Sequence, residues 1–117
     1  MSFMFKKLDV YNKAVDFYCK VSDLTKNFPK GNSHIVDQFN RAALSISLNI
    51  AEGNGRYHLK ERQTFFRIAR GSAFECVPIL EICERQSLLD KSSCQSLLQE
   101  LEIISKMLSG LINKIET

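Results

Sequence analysis

The chain has 117 residues, 44% of them hydrophobic and 25% charged, with a net charge of +3, five glycines and two prolines. This is the profile of one soluble globular domain: too apolar for disorder, too evenly charged to demand a nucleic-acid partner, and lacking an apolar run of membrane-spanning length. Met1-Ser2-Phe3-Met4-Phe5-Lys6-Lys7 has no apolar stretch behind its charges, so no secretory signal is expected, and Cys19, Cys76, Cys83 and Cys94 form no C-x-x-C pair, as suits free thiols in a reducing cytoplasm.

Three breaks punctuate the chain: Phe28-Pro29-Lys30-Gly31-Asn32, Gly53-Asn54-Gly55, and a weaker one at Leu88-Leu89-Asp90. Each of the four segments between them has helical periodicity, and none alternates like a strand. In the first, Val10, Ala14, Phe17, Val21, Leu24 and Phe28 recur at three- and four-residue spacing, with Leu8, Tyr11, Val15 and Tyr18 beside them. Lys13, Asp16, Lys20 and Asp23 fall opposite, and Pro29 is expected to stop the helix.

The second segment starts behind Asn32-Ser33, both good N-caps, and places Val36, Phe39, Ala43, Ile46 and Ile50 on one face. Leu44, Leu48 and Ala51 make a second apolar stripe nearly opposite, which calls for cover by another element or another subunit. Asn49, at the edge of the core face, is expected to make a helix–helix hydrogen bond that sets register, and Gly53 or Gly55 to end the helix in the left-handed conformation.

The third segment, Leu59 to Ser87, carries a main stripe of Phe65, Ala69, Ser72, Ala73, Cys76, Leu80 and Cys83 and a second of Ile68, Ile79 and Ile82. Gly71 and Ser72 suggest a close helix–helix approach, and Pro78 a kink, since it leaves the Phe74 carbonyl without its N–H. The fourth begins near Asp90, Ser92 or Ser93 and carries Leu97, Leu101, Ile104, Leu108, Leu111 and Ile115. Four long helices with short connections predict an all-α, antiparallel up-down-up-down four-helix bundle in a single domain spanning residues 1–117. The two-faced helices predict a homo-oligomer, with Leu44, Leu48, Ile68, Ile79 and Ile82 at its interface.

Catalytic signatures are scarce. There is no G-x-G-x-x-G, Walker loop or G-x-S-x-G. The two histidines, His34 and His58, lack the Glu-x-x-His spacing of a di-iron bundle, so neither metal nor cofactor is expected. Glu52 and Glu75 could be paired carboxylates, but no nucleophile or histidine accompanies them, and pairing with Arg41, Arg67 or Arg70 is the simpler reading. Cys76 and Cys83 read as small core hydrophobes. Arg56, His58, Lys60, Arg62, Arg67 and Arg70 crowd the second break and the helix after it, with Tyr57 interleaved and Lys6, Lys7 and Lys13 adding charge. Guanidinium groups beside an aromatic ring suit phosphate contact and base stacking; a solvated face salt-bridged to Glu52, Glu61 and Glu75 would show the same pattern.

The stretch Gln38-Phe39-Asn40-Arg41-Ala42-Ala43-Leu44-Ser45-Ile46, running into Asn49-Ile50-Ala51-Glu52-Gly53, resembles the core motif of the bacterial four-helix bundle proteins encoded by intervening sequences within 23S rRNA genes. The Phe28-Pro29 stop and Ile68-Ala69-Arg70-Gly71-Ser72 with Glu75 downstream fit the same pattern, over nearly the whole chain. The accessory protein of diversity-generating retroelements looks like a more distant relative. The resemblance implies an antiparallel bundle assembled into a ring, typically a pentamer, that engages nucleic acid or ribonucleoprotein through basic surfaces without catalysis. Three departures stand out: Asn40 replaces the first of two arginines common in the family, the proline often found near Ser47 is absent, and Pro78 is not part of the family pattern.

Together these observations predict a non-enzymatic, cytoplasmic, oligomeric bundle that contacts RNA or ribonucleoprotein, with no membrane and no small-molecule substrate. Arg41, Arg56, Lys60, Arg62, Arg67 and Arg70 would meet phosphates and Tyr57 would stack, while Asn49, Glu52, Gly53, Gly71, Ser72 and Glu75 would build the frame. The alternative is an adaptor for a nucleic-acid-processing enzyme, with the apolar stripes as the partner surface.

Overall fold

A computed structural model of the chain describes residues 3–116, apart from the side chains of Lys7, Ile115 and Glu116. The core assignment of Ile115 and the charge assigned to Lys7 lie outside the described side chains. A short 3-10 turn (Met4–Lys7) leads into α1 (Asp9–Thr25), α2 (Ser33–Asn54), α3 (Leu59–Arg85) and α4 (Lys91–Glu116). The helices form the predicted antiparallel bundle. α1 packs on α2 and α4, α3 packs on α2 and α4, and the α2–α3 seam is the most extensive while α1–α4 is the least.

The core is built mostly from the main predicted stripe of each helix, joined by Ala42, Phe66, Cys94 and Ile112, while Val36 and Ser72 are only partly buried. Val10, Ala14, Phe17 and Val21 of α1 meet Phe39, Ala43, Ile46 and Ile50 of α2, Ala69, Ala73, Cys76, Leu80 and Cys83 of α3, and Leu97, Leu101, Ile104 and Leu108 of α4. Leu24, Phe28 and Leu111 are only partly buried against it. Lys13, Asp16, Lys20 and Asp23 are exposed as expected.

Several local readings change. α1 ends at Thr25, before the Phe28-Pro29 break. Thr25 is buried; its hydroxyl donates to the Val21 carbonyl at 2.8 Å and accepts from Asn40 Nδ2 of α2 at 2.9 Å, so it binds the end of α1 to α2. Asn32 occupies the N-cap of α2, but its side-chain amide donates back to the Pro29 carbonyl at 2.8 Å, and Gly31 supplies the positive φ (+96°) that this turn requires. Asp90 caps α4 by accepting the Ser93 N–H at 2.6 Å, a charge-assisted bond that holds its carboxyl below the ordinary 3.8.

In α3 the aromatic facing the core is Phe66, not Phe65, which is only partly buried. Ile79 is 7% exposed and belongs to the core, so it leaves the predicted oligomer interface; Leu44, Leu48, Ile68 and Ile82 stay exposed. The helix runs unbroken through Pro78. It closes in a Schellman motif: the Leu88 N–H donates to the Cys83 carbonyl (2.8 Å) and the Ser87 N–H to the Glu84 carbonyl (3.0 Å). The left-handed residue of that motif is Ser87, φ 57°.

The glycines correct the sequence reading most sharply. Neither Gly53 nor Gly55 is left-handed; Gly55 has φ −79°. Gly53 is instead the close-approach residue, because a Cβ there would lie 2.8 Å from the Phe66 ring and 3.1 Å from the Arg62 carbonyl. Gly71, assigned that role in the sequence, has nothing within 4 Å of such a Cβ.

Candidate nucleic-acid interface

The α2–α3 connection is four residues, Gly55 to His58, and it is braced from both sides. The Arg56 N–H donates to the Gly53 carbonyl at 3.2 Å, and the Arg62 N–H to the His58 carbonyl at 3.1 Å. The Arg56 guanidinium pairs with Glu52 at 2.8 Å and lies over the Phe65 ring, 4.8 Å from its centroid. Arg62 Nε donates to the Arg56 carbonyl at 2.7 Å. Each bond is worth at most about 1 kcal/mol at this exposure, but four of them on so short a loop fix its path.

Tyr57 projects from that braced loop with 89% of its surface accessible, in edge-to-face contact with His58 at 5.3 Å. Lys60 is exposed just behind it, and Arg67 is exposed seven residues further along α3, on the same face of the helix by spacing.

Topology brings further cations to this end. The 3-10 turn packs beside the end of α2, where Phe3, Met4 and Phe5 share a groove with Leu48, Ala51 and Arg56. The start of α1 lies beside the end of α4, with Leu8, Asp9 and Val10 facing Met107, Leu111 and Lys114. Lys6 and Lys114 therefore join Arg56, Lys60 and Arg62 at one end of the bundle, against Asp9, Glu52 and Glu61. The opposite end carries Lys26, Lys30, Arg85 and Lys91 against Asp23, Asp37, Glu81, Glu84 and Asp90. Among the described side chains the two ends thus differ in the sign of their balance, a property that net charge alone hides. Lys114 is absent from the sequence reading because only the antiparallel packing places it there.

Two predicted contacts fall elsewhere. Arg41 is exposed midway along α2, 13 residues before the end of the helix and thus about 20 Å from the loop. Arg70 is half-buried and donates to Ser109 Oγ at 3.0 Å, tying α3 to α4.

The framework residues are also placed. Asn49 donates within its own helix, to the Ser45 carbonyl (2.8 Å) and hydroxyl (3.0 Å); the bond that crosses between helices is Ser45–Ser72, at 2.8 Å. The asparagine therefore orients a serine rather than crossing the seam itself. Glu75 accepts a long bond from Gln38 Nε2, 3.4 Å. Because Glu75 sits level with Gln38, it lies 14 residues along α2 from Glu52, about 21 Å, and the two cannot form a paired-carboxylate site. Glu52 does hold an arginine, but it is Arg56, one turn on. Burial pushes the Cys76 thiol to about 12 and the Cys83 thiol to about 11, so both stay protonated at neutral pH. Among the described residues no group of three potential ligands could hold a metal ion, and no helix is long and apolar enough to cross a membrane.

The family model described as 23S rRNA-intervening sequence protein matches residues 6–110. The chain belongs to that family. Among solved structures, a protein of unknown function from the S23 ribosomal protein family of Bacteroides thetaiotaomicron superposes with a TM-score of 0.82 at 23% identity, covering 88% of this chain and 97% of that one. At that identity the likeness bears on the fold. None of the curated proteins shows significant similarity. The intervening-sequence motif named in the sequence maps onto α2: Phe39, Ala43 and Ile46 are its core side, Asn49 and Ser45 its polar seam, and Gly53 its contact with α3.

Proposed function

We propose that this 23S rRNA-intervening sequence protein is a non-enzymatic, cytoplasmic homo-oligomer that contacts RNA or ribonucleoprotein through the basic end of its bundle. The observation that carries this reading is the braced loop with Arg56, Lys60 and Arg62, at the same end of the bundle as Lys6 and Lys114, while the far end is slightly acidic among the described side chains. A polarised molecule approaches a polyanion with that end foremost, and fixed backbone geometry lowers the ordering cost of each phosphate contact. Arg56 and Arg62 position the loop as well as charging it, and Lys60 and Arg67 extend the charge along α3.

Self-assembly is assigned to the outer side of α2 and α3, where Leu44, Leu48, Ile68 and Ile82 are between 38% and 55% exposed. A set of large aliphatic side chains on adjoining helices is what a subunit interface leaves bare on a single protomer. The ring, five-membered in the family it resembles, would be recognised by native mass, and Leu48→Glu is expected to reduce that mass to smaller species.

Titration of a fluorescent structured RNA at two salt concentrations tests RNA contact. Affinity should fall steeply with salt, and Lys60→Ala should lower the salt slope by about one unit. No binding at low salt, or binding indifferent to salt, removes the proposal. A partner protein retained after nuclease treatment would favour the adaptor reading instead.

A further inference from the structure

We infer that the α2–α3 loop recognises unpaired nucleotides, with Tyr57 as the surface on which one base stacks; this rests on the nucleic-acid reading above and narrows its ligand to single-stranded segments. Tyr57 is the most exposed large hydrophobic side chain among those described, at 89%, yet the backbone on both sides of it is held by the Arg56, His58 and Arg62 bonds. An aromatic ring left in water on a rigid loop gains little for the fold. Its only ring neighbour among the described residues, His58, meets it edge-on at 5.3 Å, and Leu59, 58% exposed, continues the apolar surface.

The surroundings decide what kind of partner fits. The ring's chain neighbours Arg56, His58 and Lys60 are all exposed, and the apolar groove at this end of the bundle, lined by Phe3, Met4 and Leu48, includes Arg56 as well. A hydrophobic protein surface would have to desolvate Arg56 and Lys60 without compensation, whereas a nucleotide offers both parts at once: a flat π-face for Tyr57 and a phosphate for Lys60. In a duplex the faces of the bases are already stacked on one another, so a protruding ring reaches one only where the strand is unpaired, at a loop, bulge or end. RNA and DNA share this chemistry, and the tyrosine ring itself does not distinguish them.

The test uses the 117-residue chain and four labelled probes of equal length: an oligouridine strand, an oligodeoxyuridine strand, a blunt RNA duplex and a blunt DNA duplex. Stacking on an exposed aromatic predicts that Tyr57→Ala weakens single-strand binding about five- to thirtyfold and changes duplex binding by less than about twofold. Tyr57→Phe, which keeps the ring, should bind like the wild type. Circular dichroism and native mass confirm that fold and assembly are unaltered. Equal losses on single strands and duplexes, or no loss for Tyr57→Ala while the wild type still binds with a salt dependence, overturn this inference and leave RNA contact standing. A wild type that binds none of the probes at low salt overturns both. Tighter binding of oligouridine than of oligodeoxyuridine, which differ only in the 2′-hydroxyl, identifies RNA as the source of the strand, and the reverse identifies DNA.

Discussion

Gly53→Ala should destabilise the bundle, although replacing a helical glycine by alanine normally does the opposite. The normal gain is at most about 1 kcal/mol, from helix propensity. Here the added Cβ lies 2.8 and 2.9 Å from two atoms of the Phe66 ring and 3.1 Å from the Arg62 carbonyl oxygen. Phe66 is only 3% exposed, so its ring cannot swing into solvent, and the carbonyl is backbone of α3. Relief must come from moving the start of α3 away from α2, which also strains the 2.7 Å bond from Arg62 to the Arg56 carbonyl. Overpacking against a buried ring and a backbone carbonyl falls in the upper part of the usual range, about 2–3 kcal/mol, leaving a net loss of about 1–2 kcal/mol after the propensity gain. For a chain of this length that lowers Tm by about 4–8 °C. Gly71→Ala is the control: its Cβ meets nothing within 4 Å, so it should raise stability by about 0.5–1 kcal/mol. Urea unfolding followed by circular dichroism, at one fixed chain concentration because any self-association couples to stability, measures both. A Gly53→Ala protein as stable as the wild type, or two alanines that shift stability alike, would refute the close-approach explanation.

Ser87→Gly should stabilise by about 0.5–1 kcal/mol, because a serine at φ 57° bears a steric cost that glycine lacks; an unchanged urea midpoint would contradict it. The Asp90 cap gives a pH dependence of known sign: its carboxyl titrates lower in the folded than in the unfolded chain, so its stabilisation is full above about pH 4 and is lost as pH falls through the folded value. Asp90→Ala should therefore flatten the stability profile below pH 4 relative to wild type, and parallel profiles would exclude the cap as the cause. Of the four thiols Cys19 alone is exposed, and burial raises those of Cys76, Cys83 and Cys94. A thiol-reactive chromophore at pH 8 should thus show one fast equivalent that Cys19→Ser removes; several fast equivalents would mean the core opens readily.

The sequence makes the bundle legible because three- and four-residue apolar spacing has one common cause, a buried helix face. Val10, Ala14, Phe17 and Val21, and Leu97, Leu101, Ile104 and Leu108 of α4, could be placed on that basis, whereas at the end of α4 the buried residue is Ile112 rather than Leu111. Adjacent candidates are harder: Phe65 and Phe66 differ by 100° of helix rotation, and only packing against Gly53 selects the second. Glycine is ambiguous for a deeper reason. It is demanded equally by a left-handed backbone and by a near neighbour, and the letters of Gly53 and Gly55 do not separate the two. The left-handed position that does end a helix is a serine, which no composition rule flags. At the basic end the loop cluster was visible as a run, but Lys114 comes from a residue more than fifty positions away. Arg41 and Arg70, which looked equivalent to the others, are separated from them by helix length and by a bond to Ser109.

The thin α1–α4 seam gives the bundle an uneven resistance to opening. α1 is the shortest of the four helices, and a groove of about 590 Å³ lined by Lys13, Cys19, Lys20, Gln99 and Glu100 runs along its junction with α4, spanned by the 3.0 Å Lys20–Glu100 pair. The α2–α3 hairpin, by contrast, is joined over its length and is close in sequence, so it forms with little loop-closure cost. Lifting α1 away breaks the thin α1–α4 seam and the moderate α1–α2 seam, whereas parting α2 from α3 breaks the most extensive seam of the bundle. In native-state hydrogen exchange the amides of α1 therefore report a partial opening, and those of α2 and α3 report the whole molecule coming apart.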